Sequence, residues 1–278
     1  AIHAEIAAGR GTEHGGVWLD ATDVPEETFR SFGHEFELCQ KRGLDLRYQR
    51  VEVAPAAHYF MGGIAIDPLG RSSLPGLLAA GEVTGSVHGG NRLSGNSLAD
   101  IVVFGARAGE SAARHAREAG PPAAAGEQVA AEEARLEALL GRGTGTVTAA
   151  EGKDGLRRLM WAGAGVERNA AGLAGAEAAL DELAGELLPR VGIEGSGLRH
   201  NPGVVAYLEL ENMIAVARTI VRAAMARSEC RGAHWRDDVT HDPSRPPEWT
   251  VVRQAGDGPP SVSLVPAGAA AGRGEVAP

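Results

Sequence analysis

Two cysteines in 278 residues, Cys39 and Cys230, stand far apart without a CxxC or a paired histidine spacing. The sequence therefore offers neither a zinc site nor a disulfide framework, and a reducing, cytoplasmic compartment is expected. Positive charge is short as well. With 27 Lys and Arg against 36 Asp and Glu, the net charge is −9, which argues against a nucleic-acid partner, since such a partner needs a basic face. No run approaches the roughly 20 apolar residues of a membrane span, and the first residues carry no signal-peptide pattern. The expectation is a soluble protein, or one held at a membrane only through a partner. Also missing is a GxGxxG between a strand and a helix, the fingerprint of a pyrophosphate-binding βαβ unit. What is present suffices for a core, because 44% of the residues are apolar, enough for one large domain or two.

The residues that carry chemistry concentrate in 51–109. His58-Tyr59-Phe60-Met61-Gly62-Gly63 reads as a strand broken by two glycines, where a missing Cβ lets another chain or a ligand come close to the backbone. Gly76-Leu77-Leu78-Ala79-Ala80-Gly81-Glu82 reads as a short buried strand, with Glu82 at its carboxyl end, the edge where open α/β sheets bind ligands. Residues 86–97 are too rich in Gly and Ser for regular structure and run directly into a helix beginning near Leu98. Ser97 with Asp100 three residues on resembles a capping box, which leaves the positive end of a helix dipole facing the loop. Arg92 adds a planar, permanently charged fork suited to a carboxylate or phosphate. Taken singly, His58 beside Tyr59 reads as a structural histidine, Arg92 as the partner of an acidic neighbour and Glu82 as a strand end. Their convergence within about 40 residues is what suggests a site for an anion.

Three segments, HYFMGGI, GLLAAGEVTGSVHGGNRLSGNSL and RSECRGAHWR, resemble in order and spacing the flavoprotein subunit of succinate dehydrogenase and fumarate reductase, with L-aspartate oxidases as close relatives. The resemblance covers nearly the whole chain but only the C-terminal half of a family member, so a fragment is expected. It implies an α/β plus all-α fold: the C-terminal part of an FAD-binding α/β domain with the end of a capping domain, followed by an antiparallel helical bundle. On this division residues 1–50 close the capping domain, 51–120 hold the flavin domain and substrate site, 121–226 form the bundle, and 227–278 pack back with a frayed tail. The resemblance assigns a substrate carboxylate to His58 and Arg92, the flavin ribityl chain to Glu82, and the flavin ring to Ser97 and Leu98. It implies FAD as cofactor, a four-carbon dicarboxylate as substrate, and hydride transfer between them. An iron-sulfur subunit is the implied partner, with association to the inner membrane only peripheral. The family's proton-transfer arginine is expected upstream of residue 1, as is any histidine for covalent flavin attachment, so no general acid is nominated. Two departures stand out: the spacing from Glu82 to Arg92 is one residue short of some succinate dehydrogenases, and Gly90 replaces the usual Ala. A non-catalytic assembly module is the alternative from another class.

Along the rest of the chain, the pattern predicts a helix closed at Gly9-Arg10-Gly11, a strand at 17–20 and a helix over 25–42 stopped by Gly43. His3, His14 and His34 lack ligand spacing and read as surface or structural residues. Gly105 and Gly109 are expected at close helix contacts. After a Gly-Pro-Pro break, helices are predicted over 124–141 and 148–163. Leu173, Ala176, Leu180, Leu183 and Leu187 mark a third, and Leu210, Met213, Ile214, Ala217, Ile220, Val221 and Ala224 a fourth. Leu188-Pro189 and the loop 192–202 are the breaks, and Met160, Trp161 and Met213 are expected in the core. The alternating charges of 227–238 read as a solvated loop, whereas the resemblance implies packing toward the flavin domain, with Arg231 and His234 ordering the active-site loops.

Overall fold

The computed structural model describes residues 1–278 except 32, 86, 121–124, 196, 255–257, 259 and 268–278, and gives residue 35 by its backbone alone. The Pro121-Pro122 break and most of the expected frayed tail lie outside the described residues. The chain forms two compact units, Ala1–Tyr59 and Phe60–Pro278.

In the first unit, α1 (Ile2–Glu5) runs into a π-wound turn, Ile6–Arg10, that Gly9 ends at φ 76°. Strand β1 (Val17–Leu19) pairs antiparallel with β2 (Val51–Val53), Trp18 opposite Glu52. Between them lie α2 (Glu26–Ser31) and α3 (Gly33–Lys41), two helices where the pattern predicts one over 25–42. Phe29 and Phe36 join these helices with ring centroids 5.0 Å apart. The Arg47 guanidinium stacks on Phe36 and Tyr48 while pairing with Asp45, whose carboxyl it holds well below the usual range.

The second unit opens with β3 (Ile64–Ala65) and β4 (Thr84–Gly85), a parallel pair. The expected strand over 58–63 is absent: the extended segment enters no ladder until Ile64. The glycine argument does hold at Gly63 (φ 152°), where an added Cβ would lie 2.1 Å from the Val83 carbonyl oxygen, so the close neighbour is the chain's own backbone. The expected strand over 76–82 is also absent. Gly76 and Gly81 take φ of 85° and 80° and turn the chain at each end, and Leu78 makes one isolated antiparallel bridge, to Arg71. Glu82 consequently sits in the turn that precedes β4, not at the end of a strand.

Helix α4 (Asn96–Ala119) is followed by α5 (Gly126–Leu140), α6 (Ala149–Ala164), α7 (Ala170–Glu182) and α8 (Pro202–Ala226). The last three pack pairwise, and the predicted stripes of α7 and α8 meet in a core where Leu173, Leu180, Leu210 and Val221 are wholly buried. Leu139 of α5 joins the same core, and Met160 and Met213 pack at its margin. Trp161 is a correction, 45% exposed on the outer side of α6. Pro202 is another: it starts α8 at the first position, where its missing N–H is not needed, with the Asn201 side chain accepting from Gly203 and Val204 N–H. The Gly105 and Gly109 expectation fails too, because an added Cβ at either would meet no described atom within 4 Å. Close contact falls instead at Gly70, whose added Cβ would lie 2.7 Å from Ala108 Cβ.

Beyond α8, Arg231 and His234 bridge a tight turn. Strands β5 (Glu248–Arg253) and β6 (Ser261–Pro266) then form an antiparallel hairpin that packs on α8.

Candidate functional site

Residues 87–95, before α4, are irregular, and their sequence explains why. Gly89 and Gly95 take φ of 60° and 82°, conformations that end any strand or helix. Gly95 is the residue before α4 and offers no side chain to cap it. The capping box expected from Ser97 and Asp100 is therefore not formed. Ser97 already lies inside the helix, whereas Asp100 is buried on its second turn and turns toward the loop. There its Oδ2 lies 3.2 Å from His88 Nε2, with the two side chains 1% and 8% exposed.

A second anchor comes from the far end of the chain. Ala233 N–H donates to the Gly90 carbonyl at 3.0 Å, and Gly232 at φ 59° lies so close to Gly90 that an added Cβ would be 2.0 Å from the same oxygen. The segment 227–238 thus meets the loop at Gly90 through the backbone of Gly232 and Ala233. The Arg231 side chain turns away to Glu229 and the Arg245 carbonyl, and the His234 ring to Arg168. Burial would raise the Glu229 carboxyl, yet hydrogen bonding from Arg231 and the charge of Arg227 hold it below its ordinary value. Burial and the neighbouring Arg168 charge push His234 down to about 4, so the ring is neutral at pH 7 and Nδ1 accepts from Arg168 Nη1 at 3.0 Å.

Arg92 lies two residues past the Gly90 anchor, half-buried, and its Nη1 donates to the Leu93 carbonyl at 3.2 Å. That carbonyl also accepts from Asn96 N–H at 3.2 Å, which ties the arginine to the helix start. Glu82 is exposed and accepts from Phe60 N–H at 3.0 Å, so the carboxylate closes the loose end of the 58–63 segment. Leu98 N–H is spent on Gly95 O at 3.2 Å, while its side chain is 68% exposed. His58 is exposed near the end of the first unit, and Arg92, Glu82, Ser97 and Leu98 belong to the second.

The His88–Asp100 pair and the Gly232–Gly90 contact went unread in the sequence. Asp100 fitted a capping pattern equally well, and a backbone contact across about 140 residues leaves no local signal. Also unread was the exposed pair in which the Arg10 guanidinium donates through two nitrogens to the Glu5 carboxylate. No group of three or more metal-ligating side chains occurs among the described residues.

A family described as FAD binding domain matches residues 1–98, and one described as fumarate reductase flavoprotein C-term matches residues 153–258. The chain is 41% identical over 251 residues to a fumarate reductase (CoM/CoB) polypeptide of Methanothermobacter marburgensis, covering 90% of this chain and 44% of the relative. It is 36% identical over 242 residues to the L-aspartate oxidase of Rhodospirillum rubrum, covering 85% and 74%. Among solved structures, an E. coli quinol fumarate reductase FrdA variant superposes with a TM-score of 0.84 at 32% identity, covering 95% of this chain and 46% of that one. The Mycobacterium smegmatis Sdh1 complex gives 0.82 at 34%, with 95% and 46% covered. The chain thus spans about half the length of most of the curated relatives it matches.

The residues present fit part of a flavin site. The first turns of α4 expose Leu98, Ile101 and Val102, an apolar surface that a planar heterocycle can cover. The uncapped start of this long helix favours negative charge, and Glu82 is an acceptor at the surface for hydroxyl groups.

Proposed function

Because the chain belongs to the family of FAD-dependent flavoproteins that comprises the succinate dehydrogenase and fumarate reductase flavoprotein subunits and the L-aspartate oxidases, we propose that this protein interconverts succinate and fumarate. The observation that carries the proposal is the Arg92 loop, a glycine-rich segment anchored at His88 and Gly90 that delivers a guanidinium to the uncapped start of α4. Bound FAD would supply the hydride chemistry. The chain's own residues bind and orient.

In this reading the Arg92 fork takes one substrate carboxylate in bidentate fashion, with Nη1 leaving the Leu93 carbonyl. His58 supplies a second hydrogen bond to carboxylate. Glu82 keeps one oxygen on Phe60 N–H and offers the other to the ribityl hydroxyls. Ser97 and Leu98 form the edge of the flavin contact, and the helix dipole behind them favours the negative charge of a reduced ring. Holding the diacid in one orientation converts a bimolecular encounter into a positioned one. A redox partner in the form of an iron-sulfur protein, and a cytoplasmic place peripheral to a membrane, belong to the same proposal; no helix among the described residues is long and apolar enough to cross a membrane.

One observation favours a second reading, L-aspartate oxidation: the chain covers 74% of the Rhodospirillum rubrum L-aspartate oxidase at 36% identity. Both substrates are four-carbon diacids, so Arg92 serves either. The test is turnover by the FAD-loaded holoprotein, fumarate with reduced viologen against L-aspartate with oxygen. Viologen oxidation dependent on fumarate is expected. Peroxide formation from L-aspartate without fumarate turnover would select the second reading, and no turnover of either by flavin-saturated protein would leave the assembly module.

A further inference from the structure

We infer that Asp100 is a positioning residue: through His88 it fixes the loop that presents Arg92. The inference rests on the reading of Arg92 as the carboxylate-binding group. Asp100 is 5% exposed in a helix whose neighbouring positions, Leu98 and Ile101, are apolar. Burying a carboxylate there costs free energy that an apolar residue would not. Helix capping does not account for it, because the residue preceding α4 is Gly95 and no side chain caps the start. The side-chain contact that the structure gives Asp100 is the one between Oδ2 and His88 Nε2. Its other oxygen, Oδ1, is buried with no hydrogen-bond partner among the described residues, so the carboxylate is committed to the histidine.

His88 stands four residues before Arg92 in a segment with no ladder or helix of its own. Its ring is fixed from the α4 side, and Gly90 is fixed from the opposite end of the sequence by Ala233 N–H and by contact with Gly232. Two fixed points within three residues remove most of the freedom that so many glycines would otherwise give the loop. The freedom left to Arg92 is that of Asn91 and its own side chain. A fork that must meet a carboxylate at two oxygens loses much of its value when displaced by about 1 Å. The pair therefore acts on substrate affinity without touching substrate.

The test is a titration of flavin absorbance with fumarate in FAD-loaded holoprotein, with FAD content and melting temperature measured alongside. Asp100→Leu is expected to raise the dicarboxylate Kd and the KM at least about tenfold at unchanged FAD content, while Asp100→Asn, which keeps an acceptor for the imidazole, stays within about threefold. A purely structural pair would lower the melting temperature and leave Kd and KM in place, and that result would overturn the inference. Should Asp100→Leu fail to load FAD, His88→Ala against His88→Gln decides: weakened binding in the first and recovery in the second support positioning, and equal binding in the two refutes it. Arg92→Lys separates the two levels. If it leaves dicarboxylate binding intact, the substrate reading fails; if it weakens binding while the Asp100 and His88 variants do not, positioning alone fails.

Discussion

Gly232 cannot be replaced without moving backbone. At φ 59° an L-residue is already disfavoured, and an added Cβ would lie 2.0 Å from the Gly90 carbonyl oxygen. Gly232→Ala is expected to lower stability by about 1 to 3 kcal/mol and to weaken dicarboxylate binding, measured by urea denaturation and by substrate titration. Two residues on, His234 predicts a pH dependence. Its folded pKa is pushed down to about 4 from 6.5, first by burial and then by the Arg168 charge. Between those values the unfolded chain takes up a proton that the folded chain refuses, so stability falls as pH drops through about 6.5 toward 4. Urea midpoints at pH 7 and pH 5 should differ in this direction, and His234→Gln should flatten the difference. At Arg92 itself, Lys keeps the charge and loses the planar fork. Arg92→Lys is expected to cost more turnover than His58→Gln, read from kcat/KM with fumarate.

At the scale of elements, the bundle was legible because its cause is periodic. An apolar residue every three or four positions predicted α7 and α8, and those stripes form much of the core. Leu210, wholly buried in α8, should cost about 2 to 5 kcal/mol when cut to Ala, as thermal or chemical unfolding would register. The start of α6 carries a signal the periodic reading passed over: Thr148 and Glu151 form a reciprocal capping box. Thr148→Ala is expected to cost about 1 kcal/mol. Where the reading failed, the reason is local. The run 76–82 is apolar enough for a strand, but glycines at positive φ at both ends bend it into a turn-rich segment. Strand β6 alternates over its first four residues, but surface charge and the tail's composition dominate that region of the sequence. Asp100 fits a capping pattern in the sequence, and the fold gives it to His88 instead.

At the scale of the molecule, the second unit holds the Arg92 loop by contacts from distant sequence. Glu82, Arg92, Ser97 and Leu98 are candidates because they sit in one stretch whose motif order resembles a family. What holds that stretch in place was not legible, since Ala233 and Gly90 meet only through folding. The account's central claim is that the anchored Arg92 loop binds a dicarboxylate beside flavin. The most direct measurement is the Kd of fumarate against that of a matched monocarboxylate such as crotonate, read from flavin absorbance in FAD-loaded holoprotein with Arg or Lys at position 92. The account predicts saturable fumarate binding at least about tenfold tighter than crotonate, a preference lost in Arg92→Lys. Equal binding of the two acids, or a preference that survives Arg92→Lys, would contradict it.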